Sequence, residues 1–164
     1  MNRKFYSLMI AVALVSAVKI HAQESSAGYS PFMLSIVNPI QVPPADFDIG
    51  GLKLNIIYGE CHDFTGLDVG LFSQAAGDSI GLHINGVSVV GGNSSSLMIS
   101  LVCNYVGGEY SGLQIGAYNH ASHLDGLQIG VINYAETAYG LQIGLVNVIK
   151  DNDVPFFPVV NAYF

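Results

Sequence analysis

The feature that most constrains this chain is a five-residue unit, Gly-Leu-Gln-Ile-Gly, that recurs at a fixed interval. It occupies residues 112–116, 126–130 and 140–144, with starts 14 residues apart. Looser copies precede it: GLKLN from Gly51, GLDVG from Gly66, GLHIN from Gly81 and SLMIS from Ser96, whose starts lie 15 apart. Sixteen residues separate Ser96 from Gly112, so seven copies fill residues 51 to about 150. Self-similarity at a short fixed period is the signature of a repeat architecture and sets the frame for every other reading.

Aligned, the copies form columns with physical meaning. The second position is always Leu: Leu52, Leu67, Leu82, Leu97, Leu113, Leu127 and Leu141. The fourth is Leu54, Val69, Ile84, Ile99, Ile115, Ile129 and Ile143, and the third is mostly polar: Lys53, Asp68, His83, Met98, Gln114, Gln128 and Gln142. Apolar residues at alternate positions predict a β-strand with its apolar face inward and the third position outward. The Gln114–Gln128–Gln142 stripe is then a regular exposed polar row, an outward ladder of amides. The fifth position holds only Gly, Asn or Ser, which suits a bend or a close backbone approach. The seventh is again apolar (Ile57, Phe72, Val87, Val102, Tyr118, Ile132, Val146), so the alternation breaks and the chain is expected to turn there. Asn119, Asn133 and Asn147 follow at the eighth position, where an amide can bond backbone groups left unpaired by a corner.

Two all-β architectures fit this period. In a parallel β-solenoid each copy is one coil, and equivalent residues stack about 4.8 Å apart as ladders of like on like. In a small antiparallel β-barrel equal positions do not stack, so nothing favours uniform columns. The columns are uniform and show no two-copy alternation, which predicts a solenoid of about seven 14–15 residue coils, roughly 30 to 35 Å long. All six prolines (Pro31, Pro39, Pro43, Pro44, Pro155, Pro158) fall outside the array. Proline cannot donate to a ladder and belongs at ends. The division is therefore a repeat array over residues 51–150, an N-terminal cap over 23–50 and a C-terminal cap over 151–164.

The series MLSIVNPIQ from Met33, GLKLNIIYG from Gly51, GLDVGLF from Gly66, the tandem GLQIG units and the closing PFFPVVNAYF from Pro155 resembles an uncharacterised spirochaete-type bacterial surface repeat family. The resemblance covers nearly the whole chain after its first residues, and it implies export and an envelope location. It implies no reaction and offers no catalytic residues. Some members of that family resemble lipoproteins, and this chain lacks the cysteine such an anchor requires. The 14-residue period also resembles the β-roll heads of trimeric autotransporter adhesins.

The N-terminus agrees with export. Arg3 and Lys4 precede an uncharged apolar run over residues 5–18, and Ile20-His21-Ala22 ends in a small residue. That order reads as a signal peptide over residues 1–22, cleaved after Ala22. The run is about 14 residues, short of the roughly 20 a helix needs to cross a bilayer. Cleavage would remove Arg3, Lys4 and Lys19, leaving Lys53 and Lys150 against all 12 acids, a formal charge of 2 − 12 = −10. A nucleic-acid partner is excluded, since binding phosphates takes clustered Lys and Arg. Yet 51% of residues are hydrophobic and 10% charged, so either most segments are buried on both faces or some apolar surface meets lipid or a partner.

Sites of chemistry are sparse. His120, His123 and Asp125 bring metal-ligand types together between two GLQIG units, but their spacing is not that of a helical zinc site, and they are read as loop residues. Asp151-Asn152-Asp153 looks like half a calcium loop and is read as the turn ending the last coil. Asp63, Asp68 and Asp78 are read as solubilising surface acids. Cys61 and Cys103 lie two to three coils apart on the stacking scheme, too far for a disulfide. No nucleophile elbow, phosphate loop or dinucleotide fingerprint is present. The expectation is no enzyme, no catalytic residue, no cofactor and no metal. It is instead an exported surface or periplasmic protein with a structural, adhesive or protein-binding role, contacting a protein or glycan partner at the envelope, with oligomerisation open. Its expected contact surface is Gln114, Gln128 and Gln142 together with Tyr105, Tyr118, Tyr134 and Tyr139. The alternative is a small outer-membrane β-barrel, favoured by the hydrophobic composition and the terminal aromatic residues Tyr163 and Phe164.

Overall fold

The computed structural model describes residues 26–164, and the expected leader with its cleavage point lies outside them. Seven strands make one sheet: β1 (Gly28–Val37), β2 (Ile40–Val42), β3 (Phe47–Cys61), β4 (Phe64–Ala75), β5 (Ser79–Val90), β6 (Ser94–Ile149) and β7 (Phe156–Tyr163). Their order is β2-β1-β3-β4-β5-β6-β7. β6 runs for 56 residues because it winds, carrying four of the repeat copies without a break.

Consecutive copies run the same way and in register. Gly51 pairs with Gly66, Gly66 with Gly81 and Gly81 with Ser96, while Leu52, Leu67, Leu82 and Leu97 follow in the next column. The fold is a parallel β-solenoid, and the antiparallel barrel is not formed. Differences in copy length are absorbed at one corner. Ile56 and Ile57 stand where the next coil has Leu71 alone, and Leu101 and Val102 stand opposite Gly86. Bulging one residue out there leaves both flanking ladders in phase. The glycine that opens each copy has a structural reason. Gly126 sits at φ +141°, and a Cβ on it would meet the Gly112 carbonyl oxygen of the coil below at 2.2 Å.

The array begins earlier than the repeats suggest. β1 lies parallel to β3, with Met33 beside Lys53 and Ser35 beside Asn55. The segment expected as a cap thus supplies a further coil, and only then does the short antiparallel β2, bracketed by prolines, cover the edge. At the other end Asp151, Asn152 and Asp153 form a turn, and β7 folds back antiparallel along the last coil, with Leu141 beside Ala162 and Ile143 beside Val160.

The faces of the coil are inverted relative to the sequence expectation. Lys53, Asp68, Met98, Gln114, Gln128 and Gln142 are 0% exposed and His83 is 2% exposed, so the polar third position points inward. The leucines of the second position and the aliphatics of the fourth point outward, half-buried or exposed. The glutamine stripe expected on the surface is an interior ladder. Gln128 Nε2 donates to Gln114 Oε1 at 2.7 Å, and Gln142 Nε2 donates to Gln128 Oε1 at 2.8 Å. Each amide also reaches a main-chain carbonyl across the lumen, as Gln142 does to Val148. A second ladder runs beside it, Asn104 to Asn119 to Asn133 to Asn147, at 2.7–2.8 Å per rung. These asparagines also donate to the carbonyls of Ile115, Ile129, Ile143 and Phe157. Stacking at one coil per rung gives the inner amides Gln128, Asn119 and Asn133 a partner above and below. That removes the penalty that otherwise keeps unpaired amides out of a core.

Interior volume is shared between the fifth and eighth positions. Where the eighth is Asn133 or Asn147 the fifth is Gly130 or Gly144, and a Cβ at Gly144 would stand 2.6 Å from Asn133 Nδ2. In the first copy the order is exchanged: Asn55 enters the lumen, and a Cβ on Gly59 would stand 1.7 Å from its Oδ1. The other half of the cross-section is apolar. Ile49, Phe64, Tyr110, Leu124 and Ala138 pack there with Cys61, Ala75, Val90, Val106, Ala121, Ala135 and Ile149.

Candidate functional site

The side of the coil built by positions two, four and six faces away from the lumen. Over seven copies those positions hold only Leu, Ile, Val, Ala and, once, Gly86, without a charge or a hydrogen-bonding side chain. The sixth column is the most open, with Leu101 82%, Leu145 70%, Ile56 57% and Leu71 55% exposed. β1 and β7 continue the pattern: Phe32 and Leu34 stand beside Leu52 and Leu54, and Ala162 and Val160 beside Leu141 and Ile143. Nine strand rows thus present one flat apolar wall. At about 4.8 Å per row and 3.3 Å per residue it measures roughly 38 Å by 16–18 Å, or roughly 600–700 Å². That lies at the upper limit of what soluble monomers leave uncovered.

The other expected contact residues divide. Tyr105, His120 and Tyr134 form an outward column on the next wall, with the histidine ring stacked between the tyrosines at 4.5 and 5.1 Å. Tyr118 flanks them, packed on Val87, Val89 and Cys103. Burial depresses the His120 pKa below its ordinary value, against the carbonyl of Val106 and the charge of Glu136 that act to raise it. Tyr139 is apart from this group, 59% exposed and edge-on to Phe164. His120, His123 and Asp125 are strand residues and not a loop, and they do not converge. His123 Nδ1 is 2.6 Å from Thr137 Oγ1 one coil on.

His123 and Thr137 belong to a corner column that also contains Asp48, Asp63, Asp78, Asn93 and Glu109. Its first members act as rungs. Asp48 Oδ1 accepts the Asp63 N–H at 3.2 Å, Asp63 Oδ1 the Asp78 N–H at 2.8 Å, Asp78 Oδ1 the Asn93 N–H and Asn93 Oδ1 the Glu109 N–H. Asp48, His62 and Asp63 also bring three potential ligand atoms within 4.8 Å of one another. The Oδ1 atoms of both aspartates are already occupied by main-chain N–H groups, and His62 Nδ1 lies 2.9 Å from Asp48. The cluster therefore has a structural explanation as the corner that ties successive coils together.

Sequence reasoning missed a second group. Asp68, expected on the surface, is at the centre of a buried network. It accepts from Asn55 at 2.8 Å, from Asn85 at 3.0 Å and from Ser73, and faces His83 Nδ1 at 2.9 Å. His83 Nε2 is 2.6 Å from Ser79 Oγ. Burial alone would raise the Asp68 carboxyl, but the Lys53 charge and the His83 and Ser73 hydrogen bonds hold it below its ordinary value. Lys53 donates to the Gln74 carbonyl at 2.8 Å and lies 3.3 Å from Cys61 Sγ. Ser79, His83 and Asp68 have the hydrogen-bond order of a hydrolytic triad, yet they are 1%, 2% and 0% exposed. A nucleophile needs room for substrate and an oxyanion site beside it. The outer depression beside Asp48 and Asp63 is lined by Tyr29, Gly50, Gly51, Thr65 and Gly66 and not by Ser79. The network balances a buried lysine against a buried aspartate.

The two cysteines are free and lie in different layers. Cys61 is inside the coil and Cys103 in the outer wall, three coils further on. Burial pushes the Cys103 thiol up to about 12. The fold defines a parallel β-solenoid with a half-polar, half-apolar interior and an apolar outer wall. No family model, curated protein or solved structure matches the chain.

Proposed function

We propose that this chain is a non-enzymatic, exported protein of the bacterial cell envelope that works as a scaffold, binding a partner surface through the flat wall of its solenoid. The wall itself carries the reading: its second, fourth and sixth positions are apolar in every copy, while polar residues that would suit water are used up inside. Each strand had two sides to offer, and a solenoid standing alone in water would turn the leucines inward. Export rests on the leader-like first 22 residues and on the resemblance to surface repeat proteins. The absence of catalysis rests on the burial of the Ser79–His83–Asp68 set and on the use of the surface acids as rungs.

The test is fractionation of the full chain expressed in a Gram-negative host. The parent is expected in the periplasmic extract in a complex larger than one chain by size-exclusion chromatography. The Leu71→Lys/Leu145→Lys variant, altered at two exposed positions of the wall, is expected to keep its β spectrum, stay in the extract and elute as a single chain. A variant that stays folded and elutes like the parent removes the wall as the binding surface.

A further inference from the structure

We propose that the flat wall pairs with the same wall of a second copy of this chain, forming a two-fold dimer of solenoids packed sheet on sheet. This rests on the reading of the wall as a binding surface, and it names the partner.

Charge placement argues for a like partner. The wall positions are uncharged throughout, and along the bordering corner (Gly50, Thr65, Ile80, Ser95, Ser111, Asp125, Tyr139) only Asp125 carries charge. Glu60, Asp63, Asp78, Glu109 and Glu136 stand on the other corners and walls. Two acidic molecules can therefore meet wall to wall without opposing like charges, which contact through any other side would impose. The same distribution argues against a lipid surface. Proteins that lie on bilayers ring their apolar face with Lys and Arg, whereas here Lys53 is sealed in the lumen and Lys150 follows the last coil.

Area and shape agree. A wall of roughly 600–700 Å² approaches the roughly 800 Å² per partner of a standard stable interface. Its rows repeat at one pitch along the whole stack, so a two-fold axis lying in the interface, parallel to the strands, sets the rows of one copy against those of the other, about 10 Å apart. Such an interface is self-complementary and closed, so it ends at two copies. The fifth of the nine rows, bearing Ile99 and Leu101, lies at the axis.

Sedimentation of the leaderless full chain at tens of micromolar, without detergent, is expected to give a dimer. Ile99→Lys/Leu101→Lys, which sets four cations against one another at the axis, is expected to weaken it at least about tenfold. Because that variant can also disturb folding, Ile99→Cys provides the second readout. It is expected to cross-link copy to copy with a short bis-maleimide, while Thr65→Cys on the corner does not, and the buried native thiols stay silent. A monomeric parent, or equal cross-linking at Ile99 and Thr65, overturns the pairing. A monomer that floats with phosphatidylcholine vesicles, and is released by Leu101→Lys, overturns the dimer but keeps the wall as a binding surface with lipid as its occupant. A monomer that does neither overturns both.

Discussion

Gln128 shows how a polar residue comes to be a core residue. Alone in an apolar lumen its amide would leave two donors and an acceptor unmatched, a cost of about 1–3 kcal/mol for each group left without a partner. With Gln114 below and Gln142 above, the donor of each amide meets the oxygen of the one below it. Gln128→Leu keeps the volume but strands Gln114 Oε1. It is expected to lower stability by about 1–3 kcal/mol, read as a lower urea midpoint at unchanged slope. A surface glutamine would change it by less than about 0.5 kcal/mol. The sequence displayed this residue as the most regular polar row in the chain, and regularity was the legible part. Its side was not, because alternation marks two faces without saying which one the coil encloses.

At the scale of a single column, the outer stack of Tyr105, His120 and Tyr134 ties three coils together through their rings. Burial holds the His120 pKa below 6.5, so the folded state prefers the neutral ring. Unfolding exposes an imidazole that binds a proton more readily. The stability due to the neutral ring is therefore complete above pH 6.5 and lost as the pH falls through 6.5 toward the depressed folded value. Thermal melts from about pH 7 to pH 5 are expected to show the parent losing more stability than His120→Tyr, which keeps an aromatic ring and removes the titration. Equal losses would mean that the stack does not feel the proton. Sequence reasoning grouped Tyr105 and Tyr134 on one expected contact surface. It cast His120 as a loop residue because it lies between two GLQIG units.

For the molecule as a whole, the solenoid behaves as a one-dimensional stack in which each coil meets only its neighbours. Deleting residues 126–139 removes one 14-residue coil and brings Gln142 onto Gln114 and Asn147 onto Asn119, so both ladders close again. That variant is expected to fold cooperatively, with an unchanged far-ultraviolet spectrum and a long axis shorter by about 4.8 Å in small-angle scattering. A deletion of 12 residues at the same place puts the ladders out of phase, and is expected to give aggregation or loss of cooperative unfolding. If both deletions fold equally well, stacking of like on like is not what stabilises the array. β1 and β7 matter at this scale too. Each carries on the polar-in, apolar-out pattern, Ser35 and Asn161 inside and Leu34 and Val160 outside, so the wall runs unbroken from one closed end to the other.

The sequence by itself determined the period, the parallel stacking of like residues, the closing of the array near its prolines and the separation of the two cysteines. All of these follow from which positions repeat and at what distance. Only the tertiary structure decided which side of each strand faces the lumen. That choice turns on whether stacked amides can satisfy one another, and the buried Asp68 its ring of donors, in a space narrow enough to demand glycine opposite asparagine. No single copy contains that information, because each amide finds its partner in the next coil. With the lumen filled in this way, the leucines are left outside, along one wall of the coil.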